Sequence, residues 1–450
     1  MITLNFKNFI KEGKIFLKLG LPILGSQLVM YGMTTTDYIM AGYSSSDDLA
    51  GVGLAAAIFN PIFFLSAGLM FGITPIIAQH FGANEKDEVT IKSRKFLWTG
   101  LLVGIVFFLF LQNSGFIFNF LDSEVNVKQI SLGYLYAISF GAVPLTIFQA
   151  LRGYSEGITQ TKVVFFLNAF GFVINIPLNY LFIFYFDFGG VGCGIATAIV
   201  AWIGVLLFFL ITGFSKIYSK FSIYGKFIWP DLKSNFELFK IGMPISFGIF
   251  VELSMFSGAA LIISFFGSKM LAAHAISINL AGLFFMIPLS LGLCTAVRVG
   301  NLIGEGNFLK ANYASNISIR ISLFLAIFTL CLIIIFKEFL ISMYSRDEAV
   351  AVIASSLLIF AAIFQIPDAI GFSAIGSLRG HKDTFATMVI MVISYWFFAM
   401  PVGVYLAFNQ TIGLPTEAWG IWLGMILGIS LSAILNLLRL KYKKTKLKTI

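Results

Sequence analysis

The 24 residues from Gly190 to Gly213 include no charged side chain, and eleven further stretches of the 450-residue chain are nearly as apolar. They fall at about 17–42, 50–79, 96–114, 129–151, 162–186 and 190–213. They resume at about 238–264, 271–299, 316–336, 350–377, 385–408 and 418–438. A bilayer-spanning helix needs roughly 20 apolar residues, so each run is long enough to cross. Only 11% of the chain is charged, where soluble domains carry roughly a quarter. The expected fold is therefore all-α and polytopic, with twelve transmembrane helices in two pseudo-symmetric six-helix lobes. The amino-terminal lobe is expected over 1–213, a cytoplasmic linker over 214–236, and the carboxyl-terminal lobe with a basic tail over 237–450.

The formal charge of +9 reflects where the cations sit, and nucleic acid is not an expected partner. Lys7, Lys11, Lys14 and Lys18 precede the first run. Lys216, Lys220, Lys226, Lys233 and Lys240 cluster at the centre, and Arg439, Lys441, Lys443, Lys444, Lys446 and Lys448 close the chain. With a cytoplasmic start, only Lys128, Lys269, Lys337 and Arg346 fall on the outer side, so the positive-inside rule predicts that both termini are cytoplasmic. Cys193, Cys294 and Cys331 lie in apolar segments without metal-ligand spacing and read as small core residues. No cleavable signal peptide is expected at the N-terminus.

The halves repeat. KLGLPI at 18–23 matches KIGMPI at 240–245 at an offset of 222, which also aligns Gly82 with Gly304. FQALRG at 148–153 matches IGSLRG at 375–380 at an offset of 227. Both halves start inside and hold six spans, so the repeat is parallel, a plan typical of transporters whose sites lie near the midplane.

Three acids fall within the spans, Asp37, Glu252 and Asp368, and by the same boundaries no Lys or Arg lies deep in a helix. A carboxylate at the bilayer centre costs roughly 2.5–3.5 kcal/mol on insertion scales. Three such acids without an internal cation imply that the balancing positive charge comes from outside the chain, as a proton, a metal cation or a cationic substrate. Helical spacing puts Met30, Met33, Asp37 and Met40 on one face, with Thr34 beside them, a set suited to adaptable apolar contact or to plain helix packing. Asn168, Asn175 and Asn179 share a face of the fifth span. Pro177 there leaves the Val173 carbonyl available, for cation binding or for interhelical hydrogen bonding. By the repeat, Asp37 aligns with Ala259, Glu252 with Met30 and Asp368 with Gly141, so each half holds its own acid site. His80 and His381 lie at inner helix ends, where a solvated imidazole is the default. His274 lies near an outer end, where a proton-carrier role is one reading.

With TTTDYIMAG at 34–42, NIPLNY at 175–180, GGVGCGIATA at 189–198, MPISFGIFVE at 243–252 and Asp368 ahead of SLRG, the chain resembles the multidrug and toxic compound extrusion (MATE) family, in its NorM-type branch. The resemblance runs from PILGSQ at 22–27 through SLRGHKDT at 377–384. It implies a secondary antiporter that exports amphipathic, mostly cationic compounds in exchange for Na⁺ or H⁺ by alternating access. It places a coupling-ion site at Asp37, Asn175 and Asn179. A second, able to take Na⁺, is placed at Glu252 and Asp368, with Asp347 as an accessory. Substrate-lining candidates are Met30, Met33, Thr34, Met40, Asn168 and Phe285. Some relatives carry a Tyr where this chain has Phe284 and Phe285, which leaves cation–π attraction in place of a hydroxyl contact. The resemblance implies no cofactor beyond the coupling cation, the bilayer as partner, a monomer, and a bacterial plasma (inner) membrane location. A flippase for lipid-linked oligosaccharides of the same superfamily is the second reading, opposed by the lack of basic residues in the spans. An intramembrane enzyme would need a nucleophile–base pair or a metal cluster, and a channel a selectivity-filter repeat; the spans suggest neither.

Overall fold

In the computed structural model, which describes residues 6–119, 124–225, 227–345, 347–409 and 416–446, secondary structure is helical throughout and no strand occurs among those residues. Arg346, Lys226 and Lys448 lie outside the described residues, as do the side chains of Lys7 and Lys446. Among the described residues eleven helices are long and apolar enough to cross a membrane, and a bent pair taken as one span makes twelve. In the first half they are α1 (Asn8–Ser44), α2 (Ser46–Gly82), α3 (Lys86–Asn119), α4 (Val125–Ser139 with Ala142–Gly157), α5 (Thr161–Tyr185) and α6 (Gly190–Phe214). In the second they are α7 (Leu232–Phe266), α8 (Ser268–Gly304), α9 (Phe308–Ser342), α10 (Glu348–Gly380), α11 (Thr384–Phe408) and α12 (Glu417–Thr445). Many run past the apolar stretches that announce them, α10 by three residues at its carboxyl end, and this decides where two arginines fall.

Irregularities in the helices have local chemical causes. The two parts of α4 meet at 51°. Pro144 has no N–H for the Phe140 carbonyl, which instead accepts the Trp202 indole N–H at 3.0 Å. In α5, Pro177 is followed by a π-helical stretch, Leu181–Tyr185, and α11 has its own at Ile393–Ala399. The fifth helix of each half is thus widened, α5 at its carboxyl end and α11 at its middle, a feature frequent at functional sites. Small residues set the packing distances. A Cβ at Gly376 of α10 would stand 2.2 Å from the Gly292 carbonyl oxygen of α8, so only glycine permits that approach. On α9, Phe324, Ile327, Phe328 and Ile335 are exposed; a lipid-facing helix is the setting in which such a stripe costs nothing.

The residues form two compact units, one running from Gly25 to Ser246, the other combining the chain up to Leu24 with everything from Phe247 on. Both borders cut through continuous helices, two residues after Pro22 in α1 and Pro244 in α7, at positions 222 apart. In the second unit, Phe16, Leu19 and Ile23 of α1 pack with Leu291, Cys294 and Val299 of α8, and Arg298 grips Glu12 through two bonds of 2.6 and 3.1 Å. In the first, Ser246 of α7 donates to the Leu65 carbonyl at 2.6 Å and Glu237 pairs with Lys92. The duplication is thus reproduced down to the point where each half's first helix changes unit.

The linker is tied down to the first unit. Trp98 donates its indole N–H to the Ile228 carbonyl at 3.1 Å, Arg94 donates to the Ser222 carbonyl at 3.0 Å, and Lys95 pairs with Asp231. The Lys95 ammonium and the Ser234 amide hold the Asp231 carboxyl down at about 2. Cys193 and Cys294 are buried, but Cys331 is exposed on α9, against the core placement expected for it. The solvated imidazoles expected at the inner ends are corrected as well. His80 is only 19% exposed and bonds Glu85 at 2.5 Å. Burial, reinforced by Lys443 and Lys444, pushes the His381 imidazole down to about 4.

Candidate functional site

In the first unit the polar residues of three helices converge on Asp37. Asn179 of α5 donates its Nδ2 to Asp37 Oδ1 at 2.6 Å and to Asn175 Oδ1 at 3.0 Å. Thr197 of α6 donates to Asp37 Oδ2 at 3.4 Å, and the Cys193 thiol lies 3.6 Å from the Asp37 carbonyl. Spacings of i and i+4 place both asparagines on the same face of α5, and all five side chains are buried. Asn175 Nδ2 and Asn179 Oδ1 keep no partner, so the cluster retains both a free donor and a free acceptor. Thr197 is a partner that helical periodicity did not select; GGVGCGIATA gives no polar stripe to find it by.

The other candidates on α1 are arranged differently. Thr34, Thr35 and Thr36 return their hydroxyls to the Met30, Tyr31 and Gly32 carbonyls at 3.4, 2.9 and 2.9 Å, which satisfies them within the helix. Met33 is half-buried, and Met40 packs against the Val52, Ala55 and Phe59 core. Met30 Sδ sits 3.9 Å from Arg152. Asn168, two turns before Asn175, has an unpartnered Nδ2.

Arg152 corrects the expectation that no cation lies inside. It is 2% exposed on α4, donates its Nε to Glu156 at 2.7 Å and an Nη to Gln27 at 3.1 Å, and lies 5.6 Å over the Phe71 ring. In the second unit Arg379 of α10 is likewise buried, with Nε unpartnered. Both arginines escaped because the apolar runs stop at 151 and 377, one or two residues short of them. LRG occurs in both halves, but its offset of 227 is not that of the helices: α4 ends at Gly157 and α10 at Gly380, 223 apart, and these glycines pack on Ile77 and Val299, so Arg379 stands at the place of Glu156.

The second unit brings together Glu252 of α7 and Asp368 of α10, both buried, with Asp368 Oδ2 unpartnered. The two repel one another, Arg379 attracts Glu252, and both acids act on the buried Tyr395 of α11. Phe285 packs edge-on against Phe372, one turn beyond Asp368, with ring centroids 4.8 Å apart. Asp347 does not join this group. It is exposed and caps α10, accepting from the Ala349 and Val350 amides at 2.8 and 3.4 Å. It stands 21 residues before Asp368, roughly 30 Å along the helix. His274 is buried on α8 and accepts the Trp422 indole N–H at 3.2 Å.

The buried Asp, Glu, Lys and Arg among the described residues are Asp37, Asp48, Glu156 and Arg152 in the first unit and Glu252, Asp368 and Arg379 in the second. Asp48 accepts from the Gly190 amide at 2.5 Å and the Ser44 and Ser45 hydroxyls at 2.8 Å. In both units carboxylates outnumber guanidinium groups, so each is short of positive charge when all are ionised.

A duplicated twelve-helix plan with acids held in its interior is that of a membrane transporter. The chain belongs to the MatE family, whose model matches residues 22–181 and 244–405. It is 34% identical over 442 residues to the multidrug resistance protein NorM of Photobacterium profundum, covering 97% of this chain and 96% of that protein. It is 32% identical over 442 residues to the multidrug resistance protein MdtK of Yersinia pseudotuberculosis, covering 97% and 96%. In fold it matches the outward-facing conformation of a multidrug resistance MATE family transporter of the MOP superfamily, with a TM-score of 0.89 at 19% identity over 98% of this chain and 97% of the other. It matches the eukaryotic MATE transporter AtDTX14 with a TM-score of 0.87 at 20% identity over 98% and 99%.

Proposed function

We propose that the protein is a multidrug efflux antiporter, exporting amphipathic, mostly cationic compounds in exchange for Na⁺ or H⁺ through alternating access of lobes 1–213 and 237–450. The observation that carries this reading is the excess of buried carboxylates over guanidinium in each unit, which a bound cation offsets. The relatives at 32–34% identity, named multidrug resistance proteins, support drug-like substrates.

In the proposed cycle Asp37, with Asn175, Asn179 and Thr197, accepts a cation in the first lobe, while Glu252 and Asp368 accept one in the second. Carboxylate, amide and hydroxyl oxygens are the donors a hard monovalent ion takes, and a carboxylate alone takes a proton. Met30, Met33, Met40 and Phe285 supply adaptable apolar contact for substrate. Cation binding from outside favours the state with lower drug affinity, and inward release restores the drug site; only such differential affinity drives exchange. The membrane is the bacterial inner membrane, the termini are cytoplasmic, and a monomer carries the whole site set. Lipid-linked oligosaccharide flipping is less favoured. Arg152 and Arg379 remove the lack of internal cations as an argument against it, but Arg152 is committed to Glu156 and the named relatives point to drugs. The test is drug efflux by cells expressing Asp37→Asn: loss of resistance with normal membrane insertion is expected, and undiminished resistance would remove Asp37 from the mechanism.

A further inference from the structure

The three helices that supply the side chains around Asp37 meet a second time, at the glycine pair that opens α6. The Gly190 amide donates to Asp48 Oδ1 at 2.5 Å, and the Ser44 and Ser45 hydroxyls donate to Asp48 Oδ2 at 2.8 Å each. These bonds tie the turn between α1 and α2 to the amino terminus of α6. From the other side, the Phe188 and Gly189 amides donate to the Phe182 and Ile183 carbonyls at 3.0 and 3.3 Å, so the π-helical end of α5 closes on the same turn. Gly189 has φ +54°, and a Cβ there would stand 2.5 Å from Asp48 Oδ1, so only glycine lets the carboxylate in. Asp48 is buried, and capping α2 does not account for it, because the Ser45 hydroxyl oxygen already accepts the Asp48 amide at 2.9 Å.

From Gly190, Cys193 follows after one turn of α6 and Thr197 after two, roughly 10 Å of rise. These are the two α6 side chains that meet Asp37, the thiol at its carbonyl and the hydroxyl at Oδ2. The Thr197 bond, at 3.4 Å, is long for a hydroxyl donor, so a small slide of α6 along α1 decides whether it forms. The second half lacks both features together. At the offset of 222, which aligns Ser46 at the start of α2 with Ser268 at the start of α8, buried Met270 stands at the place of Asp48 and Ala259 at that of Asp37.

We infer that Asp48 is a positioning residue for the first-lobe cation site: by holding the amino terminus of α6 it fixes the register in which Thr197 and Cys193 meet Asp37, and so sets how tightly that site holds its cation. The inference rests on the reading of Asp37 as a cation site. The lever is the hydrogen-bonded rod of α6, which carries a shift at Gly190 to Thr197. What acts is the set of hydrogen bonds and not the charge, so an asparagine, which keeps an acceptor for the Gly190 amide, should serve nearly as well.

The test uses the full-length protein in nanodiscs, with Na⁺ binding followed by calorimetry at pH 8 and proton uptake followed in unbuffered solution without Na⁺. The binding lost in Asp37→Asn reports the first-lobe site. Whichever ion that is, Asp48→Ala should bind it there about tenfold more weakly, the scale of one lost buried hydrogen bond, and Asp48→Asn within about threefold of wild type. In a Thr197→Ala background Asp48→Ala should cost much less, because the lever then has nothing to move. A purely structural role would lower the unfolding temperature and leave both the affinity and this coupling unchanged. Asp48→Ala that binds like wild type, or losses that simply add to those of Thr197→Ala, would overturn the inference while Asp37→Asn still abolishes binding. Asp48→Asn as weak as Asp48→Ala would overturn it too, since charge would then be the agent. Binding indifferent to Asp37→Asn would overturn the site reading itself. Should Asp48→Ala fail to insert, Ser44→Ala combined with Ser45→Ala decides: weaker binding supports the clamp, unchanged binding refutes it.

Discussion

Each half of this chain buries one arginine and more than one carboxylate, yet the halves connect them in different ways. In the first unit Arg152 and Glu156 close on each other within one helix, and Asp37 is left to neutral partners, two asparagines and a threonine. In the second, Glu252, Asp368 and Arg379 are buried with Arg379 Nε and Asp368 Oδ2 unpartnered, and Asp383, past the end of α10, is held by Arg439 and Lys443. Duplication supplied the helices and the prolines; the buried charges diverged, with Glu156 at the place in α4 that Arg379 takes in α10. An excess of buried carboxylate over guanidinium survives in both halves.

The comparison can be broken most severely at Asp37. Asp37→Asn removes one buried negative charge of the first half while keeping the size of the side chain, and drug efflux measured in cells should fall to background at normal expression. Next in size is Glu156→Ala, which strands Arg152 in the interior. Removing one partner of a buried pair costs about 3–5 kcal/mol, so thermal unfolding in detergent should show a severely destabilised or uninserted protein. A contrasting change in the other half, Asp383→Ala, touches a pair whose Arg439 side chain is 35% exposed. About 1 kcal/mol or less is expected there, and equal losses at 156 and 383 would contradict the difference drawn between the halves.

The smallest effect concerns His381, just beyond Arg379. Its folded value near 4 lies below the ordinary 6.5 of a histidine, so between those values the unfolded chain binds the extra proton. The stabilisation is complete above about pH 6.5 and is lost as pH falls toward 4. Unfolding temperatures between pH 4 and 7 should therefore rise with pH in the wild type, and less steeply in His381→Gln.

The membrane fold was legible in the sequence because apolar runs of bilayer length have few alternatives, and the Asp37–Asn175–Asn179 cluster because helical spacing is a strong constraint on a known helix. Thr197 was not legible, since a lone hydroxyl among small residues makes no periodic pattern. The arginines were misread for a physical reason. Hydropathy ends a span at its first cation, whether that cation meets headgroups or is buried against an acid one turn on, as Arg152 is. Asp347 misled in the opposite sense: it has the right chemistry, but its side chain is spent on the amides of the α10 amino terminus. The unit borders inside α1 and α7 leave no trace in composition; Pro22 and Pro244, at matching repeat positions, were the only hint.

The central claim is that inward cation flow through these buried acids drives drug export. Purified protein in liposomes loaded with a cationic dye tests it most directly, with an inward Na⁺ gradient and an inward proton gradient imposed separately on wild type, Asp37→Asn and Glu252→Gln. At least one gradient should drive dye out of wild-type liposomes, and either substitution should abolish that response. Efflux indifferent to both gradients, or gradient-driven efflux that survives both substitutions, would contradict the account.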